Sequence, residues 1–210
     1  MSQVDDPGFI DDMDKAEAVI EQLEQRGWAV QPDFVPTESV DLLRAEALEQ
    51  HAAGLFKQAG VGGGAARNVL QTLRGDAVRW LDEATATPVQ AEVFQSLETL
   101  RLAANRSLKL GLFELEAHFA IYPPGALYKK HVDRFRDDNA RTLSVILYLN
   151  EAWEPADGGQ LRIEVSENEI VNLTPEGGTL VAFLSDRFPH EVLPARRERV
   201  SLTGWFKRRS

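Results

Sequence analysis

The apolar positions of this chain change their spacing part-way along. In the first half they recur every three or four residues: Ala16, Val19, Ile20 and Leu23 form one series, and Val40, Leu43 and Ala47 another. A third runs through Val93, Phe94, Leu97 and Leu100. Such spacing places one apolar stripe on each of three helices. The first is expected from Asp12 to near Gly27, behind an acidic tail over residues 1–11. The second should start at Thr37 after Pro36. The third should start at Thr87-Pro88, an N-cap residue followed by the proline that suits a first helical turn. Trp28-Ala29-Val30 and Val78-Arg79-Trp80-Leu81 are short, apolar and bounded, and read as strands. Gly60 to Ala66 is too rich in glycine for a regular element and reads as a mobile loop; it lacks the Lys-Ser/Thr ending of a phosphate-binding loop.

From Phe113 the period becomes two. Phe113, Leu115, Ala117, Phe119 and Ile121 share one face of a strand, and Glu114, Glu116, His118, Ala120 and Tyr122 share the other. Further strands are expected over 142–149, 160–165, 178–183 and 200–206. Turn signals at Pro123-Pro124-Gly125, Asp157-Gly158-Gly159 and Pro175-Glu176-Gly177-Gly178 separate them. Helices followed by a run of strands predict an α+β class, specifically a double-stranded β-helix (jelly-roll) barrel with N-terminal helices packed on its outside. No repeat or linker divides the chain, so a single domain is expected over 1–210, with helical support over 12–112 and the strand core over 113–206.

A chain of 210 residues is long enough to bury one sizeable core. A net charge of -10 argues against a general nucleic-acid binder and against attachment to anionic membranes. The absence of cysteine excludes disulfides and thiolate metal sites, leaving nitrogen and oxygen as the ligands for any metal. No apolar run reaches membrane-span length and no signal pattern is visible, so a cytoplasmic location is expected.

Candidate chemistry centres on His131-Val132-Asp133. On a strand, two residues two positions apart share a face, and imidazole with carboxylate suits a first-row divalent metal. Such a pair is also common in solvated turns. His51, His118 and His190 are the available third ligands. His190 follows the apolar strand 179–184, where a strand end would aim it at a barrel mouth; alternatively it caps a turn after Pro189. In the last strand Arg199, Ser201, Thr203 and Trp205 alternate with Val200, Leu202, Gly204 and Phe206. An inward arginine with two hydroxyls calls for an anionic partner, and a dicarboxylate reaching from the metal to Arg199 would supply one.

These blocks, in this order from about Leu73 to Phe206, resemble the 2-oxoglutarate- and Fe(II)-dependent oxygenases, in particular the prolyl hydroxylases that act on hypoxia-inducible factor. Arg74-Gly75-Asp76 with Trp80 is similar to that family's finger-loop strand (about 60–80 here), and Tyr122-Pro123, Gly125 and Tyr128 through Asp133 to its metal-binding strand. Tyr148-Leu149-Asn150, Gly158-Gly159, Leu161-Arg162-Ile163, His190-Glu191-Val192, Pro194-Ala195, Arg199, Thr203 and Trp205 continue the match. The resemblance implies iron ligands His131, Asp133 and His190. It implies a 2-oxoglutarate site of Arg199, Tyr148, Tyr122 and Thr203, and substrate contacts from Arg74, Asp76, Tyr128, Arg141 and Trp205. Fe(II), 2-oxoglutarate and O2 would be required, with ascorbate as a candidate reductant and oxygen sensing as a family trait. The reaction implied is prolyl 4-hydroxylation of a protein. Bacterial enzymes of this type act on elongation factor Tu, which becomes the expected partner. Departures from the animal enzymes are an extra residue within Arg134 to Ala140, a finger loop richer in Gly and Ala, and His118 where a methionine is usual. Other readings are an oxygenase of another protein or a free amino acid, a non-oxygenase cupin-like metal barrel, and a catalytically silent scaffold.

Overall fold

A computed structural model describes residues 7–60, 73–133 and 140–209, with side chains from residue 11 onward. Most of the glycine-rich stretch and most of the segment carrying the extra residue lie outside the described residues, as do residues 1–6 of the expected tail. The helices are α1 (Pro7–Arg26), α2 (Thr37–Ala52) and α3 (Pro88–Leu108). α1 begins at Pro7, earlier than the apolar stripe alone indicates. α2 starts at the expected threonine. Thr87 caps α3, its side-chain oxygen accepting the Gln90 N–H at 3.4 Å, with Pro88 in the first turn. None of the helices among the described residues is long and apolar enough to cross a membrane.

Among the described residues, eleven strands follow or interleave: β1 (Trp28–Gln31), β2 (Lys57–Gln58), β3 (Ala77–Trp80), β4 (Leu112–Tyr122), β5 (Tyr128–His131), β6 (Arg141–Tyr148), β7 (Leu161–Ser166), β8 (Glu169–Leu173), β9 (Leu180–Leu184), β10 (His190–Val192) and β11 (Arg199–Arg208). They form two antiparallel sheets, one in the order β1-β9-β6-β11-β4-β3-β2 and one in the order β5-β10-β7-β8. The expectation of a jelly-roll barrel is therefore corrected. Both sheets are open, ending at β1 and β2 in one and at β5 and β8 in the other, and no ladder among the described residues closes them. The α+β class stands. Period-two alternation assigns each strand two faces, but it carries no information about whether the ladder returns to its first strand. Strands from the helical half extend the larger sheet at both ends, which a barrel would not permit.

Two cores result, one on each face of the seven-stranded sheet. On the helix side, Ala16, Val19, Leu43, Leu97 and Leu100 pack against Ala117, Phe119, Ile121, Val200, Leu202 and Phe206. Between the sheets, Ala120, Tyr122, Ile146, Tyr148, Val181 and Phe183 meet Leu161, Ile163 and Val192. The expected parity of β4 and of β11 is the one observed. Their antiparallel register sets Tyr122 opposite Arg199, His118 opposite Thr203 and Glu116 opposite Trp205. β6 is buried on both sides for most of its length, so Val145 and Leu147 serve the helix-side core while Ile146 and Tyr148 serve the other. β2, β8 and β10 were not foreseen from the sequence. β2 has two residues and β10 three, too few for a period to register, and β8 leaves Ile170 exposed.

Candidate active site

β5 ends at His131, so His131 and Asp133 do not lie on one strand. Asp133 sits in a bend two residues on, beyond the half-exposed Val132. The carboxylate nevertheless returns to the histidine, because the chain turns inward there: Asp133 Oδ1 lies 3.5 Å from His131 Nε2 and 3.7 Å from His190 Nε2. His190 arrives from the neighbouring strand, directly opposite His131 in the β5–β10 register. One ligand atom from each of the three lies within 4.8 Å of the others. Of the two readings of His190, the turn cap is thereby set aside.

The outer hydrogen bonds fix which atoms face inward. His131 Nδ1 lies 2.8 Å from the Lys129 carbonyl and His190 Nδ1 2.9 Å from the Phe188 carbonyl. A carbonyl only accepts, so each Nδ1 carries the proton and each Nε2 presents a lone pair. Tyr128 stacks on His131 at 3.6 Å, and Phe183 meets His190 edge-on at 4.7 Å. Ser144 Oγ donates to Asp133 Oδ2 at 2.7 Å and lies 2.9 Å from Ser185 Oγ, which occupies the second carboxylate oxygen and leaves Oδ1 toward the histidines. Burial alone would raise the Asp133 carboxyl. The nearby His190 and His131, together with the Ser144 hydroxyl, outweigh it and hold the group well below the usual carboxylate range. Burial pushes the His190 imidazole down, against the pull of Asp133.

Across the same cavity stands Arg199, 1% exposed. Its Nε donates to the Gly159 carbonyl at 3.0 Å, and its guanidinium lies 5.1 Å from the ring centres of both Tyr122 and Tyr148. Gly159 has φ +68°, and a Cβ there would come within 2.9 Å of Ala195 Cβ and 3.3 Å of Arg199 Cδ, so the position needs glycine to let Arg199 in. Arg199 Nη2 and Tyr148 Oη are both buried without a hydrogen-bond partner among the described residues. Burial raises the Tyr148 hydroxyl, and Arg199 partly offsets that, so it remains a donor. Thr203 and Tyr122 line the cavity wall; Thr203 Oγ1 is 3.2 Å from Ser201 Oγ.

The residues expected to meet a substrate divide into two groups. Arg74, Tyr128 and Trp205 line the cavity. Asp76 is fully buried and does not: both its carboxylate oxygens are taken by Arg74, at 2.7 and 3.0 Å, and it serves to hold that arginine over the Tyr128 ring. Arg141 lies one layer out, 3.6 Å above the Trp205 ring and paired with Glu116 at 2.7 Å. Ser144 and Ser185 are the site residues that sequence reasoning missed, and Gly159, read there as a turn signal and part of the matched blocks, was given no role in the site. A serine on the otherwise apolar face it shares with Ile146 and Tyr148 was the available signal.

A chain with this geometry is similar to known proteins in the same respect. The 2OG-Fe(II) oxygenase superfamily matches residues 117–207. A solved prolyl-4-hydroxylase from Pseudomonas putida is 45% identical, superposes with a TM-score of 0.85, and is matched over 93% of this chain and 100% of its own. The chain belongs to the 2OG-Fe(II) oxygenases, of the prolyl-4-hydroxylase type. A Trichoplax adhaerens prolyl hydroxylase solved with a hypoxia-inducible-factor peptide superposes with a TM-score of 0.86 at 25% identity, covering 98% of this chain and 94% of that one. The hypoxia-inducible factor prolyl hydroxylase of Caenorhabditis elegans is 31% identical over 93% of this chain, which spans 28% of that protein's length. The oxygenase's donor set fits what its family uses: two imidazole nitrogens and a carboxylate oxygen suit Fe(II), and a buried guanidinium and phenol without hydrogen-bond partners among the described residues suit a carboxylate of 2-oxoglutarate.

Proposed function

We propose that this oxygenase is a cytoplasmic protein prolyl 4-hydroxylase dependent on Fe(II), 2-oxoglutarate and O2. The observation that carries the reading is the meeting of the His131–Asp133–His190 donor set with Arg199 in one cavity, where the buried ends of Arg199 and neighbouring Tyr148 have no hydrogen-bond partner among the described residues. His131 Nε2, His190 Nε2 and Asp133 Oδ1 would hold the iron. Arg199 would pair with the far carboxylate of 2-oxoglutarate, Tyr148 Oη would donate to the same group, and Tyr122 and Thr203 would flank it. Bound Fe(II) supplies the coupling of 2-oxoglutarate decarboxylation to oxygen insertion at a C–H bond, a reaction that side chains alone do not perform.

The chain's own contribution is placement. Nδ1–H bonds to backbone carbonyls keep both imidazoles in the tautomer and orientation a metal needs. Ser144 keeps Asp133 to one free oxygen. Arg74, fixed by Asp76, and Arg141, seated on Trp205, would frame the entrance through which a proline reaches Tyr128 and Trp205. A protein as substrate is supported by the Trichoplax likeness, since that enzyme was solved with a peptide. Elongation factor Tu is the protein we name, on the resemblance to bacterial enzymes of this type. Succinate release with Fe(II), 2-oxoglutarate and proline peptides tests the activity. Mass spectrometry of a lysate with and without the enzyme tests the target: a single added oxygen on an elongation factor Tu proline is expected, and no oxygen on any proline would overturn the reading.

A further inference from the structure

Two groups in the cavity have no part in holding iron or 2-oxoglutarate: the imidazole of His118 and the indole N–H of Trp205. His118 is 1% exposed, and its Nδ1 lies 3.2 Å from the Phe119 carbonyl. That contact puts the proton on Nδ1 and leaves Nε2 as an acceptor. Burial and the charges of Arg74 and Arg141 push the ring down to about 4 against the pull of Asp76, so it is neutral at physiological pH. Trp205 Nε1 is buried and has no partner among the described residues, although an indole nitrogen can only donate. Since buried donors are almost always paired, the missing partner points to a ligand.

The two rings are neighbours by construction. Thr203 opposes His118 and Trp205 opposes Glu116 across β4 and β11, so His118 and Trp205 are diagonal on one face, with ring centres 5.5 Å apart. Each is held from outside the cavity. The Arg141 guanidinium sits 3.6 Å above the Trp205 ring, and Trp80 packs edge-on against His118 at 4.9 Å. A donor and an acceptor fixed side by side, both uncharged, match an amide main chain better than an ion.

We infer that His118 and Trp205 form a main-chain clamp that selects a proline within a peptide. Trp205 Nε1 donates to the carbonyl before the target proline, and His118 Nε2 accepts the N–H of the residue after it. In an extended chain those two groups point to the same side, as in the wide pairs of an antiparallel ladder. Proline contributes no N–H of its own, so the nearest main-chain donor on its C-terminal side is the N–H of the residue after it. Free proline has neither group and would bring an ammonium toward Arg74 and Arg141. The clamp deepens the hydroxylase reading and rests on it for placing a proline in the cavity.

The test uses the full chain with Zn(II) and 2-oxoglutarate and the blocked peptide acetyl-Ala-Pro-Gly-amide, followed through the tryptophan indole N–H signals in NMR, with Trp205→Phe assigning that of Trp205. The peptide is expected to shift the Trp205 signal. His118→Leu should weaken binding about tenfold, and His118→Gln, which keeps an acceptor, should restore it to within about threefold. Acetyl-Ala-Pro-sarcosine-amide lacks the N–H after proline; it should bind the native chain as weakly as the parent peptide binds His118→Leu, and lose nothing more in that variant. Unmoved Trp28 and Trp153 signals report that the variants are folded. A Trp205 signal that stays put at millimolar peptide overturns the clamp, as does equal binding of the two peptides to the native chain or free proline competing as well as the peptide. Binding in the expected pattern with no hydroxyproline under Fe(II) and O2 would instead overturn the hydroxylase reading and leave the clamp standing.

Discussion

β4 and β11 present two surfaces that share a backbone and differ in almost everything else. On the helix side they carry Ala117, Phe119, Ile121, Val200, Leu202 and Phe206, all buried in an apolar core. On the other side the same strands carry His118, Tyr122, Arg199, Ser201, Thr203 and Trp205, several buried and two of them with polar atoms that no described residue pairs. The first face gains free energy by leaving water. The second loses some by burying polar groups that the described residues do not satisfy. The difference shows where stability and function are separated in this molecule: across the thickness of one sheet, a single residue apart in sequence.

Breaking each face in turn should expose that separation. Asp133→Ala removes the carboxylate between the two histidines, and succinate formation should fall to background. Thermal unfolding of the ligand-free chain should shift far less than for a core substitution, since Ser144 loses one partner but keeps Ser185. Phe119→Ala, on the opposite face, should do the reverse. It removes a fully buried ring from the helix-side core and should cost about 3–5 kcal/mol in denaturant unfolding, with specific activity of the folded fraction largely kept.

Arg199→Met sharpens the comparison at a single position. It keeps the aliphatic stem and removes a buried guanidinium that has no carboxylate partner among the described residues. Affinity for 2-oxoglutarate, read from succinate formation, should drop by about 2–5 kcal/mol, the usual cost of truncating one member of a buried charge pair. The ligand-free chain should be no less stable, because its unpaired charge is gone. Gly159→Ala gives a smaller effect of the same kind. A residue at φ +68° with its Cβ 3.3 Å from Arg199 Cδ should lose about 1–2 kcal/mol of stability and raise the KM for 2-oxoglutarate, while the KM for peptide moves less.

Much of this division could be read in the sequence. Alternation on the strand 112–122 and on the last strand is enough to sort Phe119 from His118 and Leu202 from Arg199, and Pro36-Thr37 and the Thr87 cap mark helix starts because each is followed by a sustained 3.6-residue stripe. What escaped is what depends on partners distant in the chain. Closure of the sheets is a property of the whole ladder, so the expected barrel was wrong while each of its principal strands was right. Asp133 reaches the site from a bend, not from the strand that carries His131, because backbone direction after a strand end is set by tertiary packing. The Ser185–Ser144–Asp133 chain joins residues from three segments and has no local pattern.

The smallest effect tests the polar face through its own titration. His118 has its ring pushed down to about 4 by burial and by Arg74 and Arg141, whereas in the unfolded chain it would titrate near the ordinary imidazole value of about 6.5. Between those values the unfolded chain binds a proton that the folded chain refuses, so stability falls as pH falls through 6.5 toward 4. From pH 7 to pH 5.5 this group alone should remove about 1 kcal/mol. His118→Met abolishes that contribution and leaves His190 and Asp133, which also titrate with folding, unchanged. The pH slope of the native chain in denaturant unfolding should therefore exceed that of the variant by about 1 kcal/mol over this window. Equal slopes would mean that His118 is hydrated or charged in the folded protein. In that case the face opposite Phe119 would be wetter than its burial indicates, and the contrast between the two sides of the sheet would be one of residue type and not of solvation.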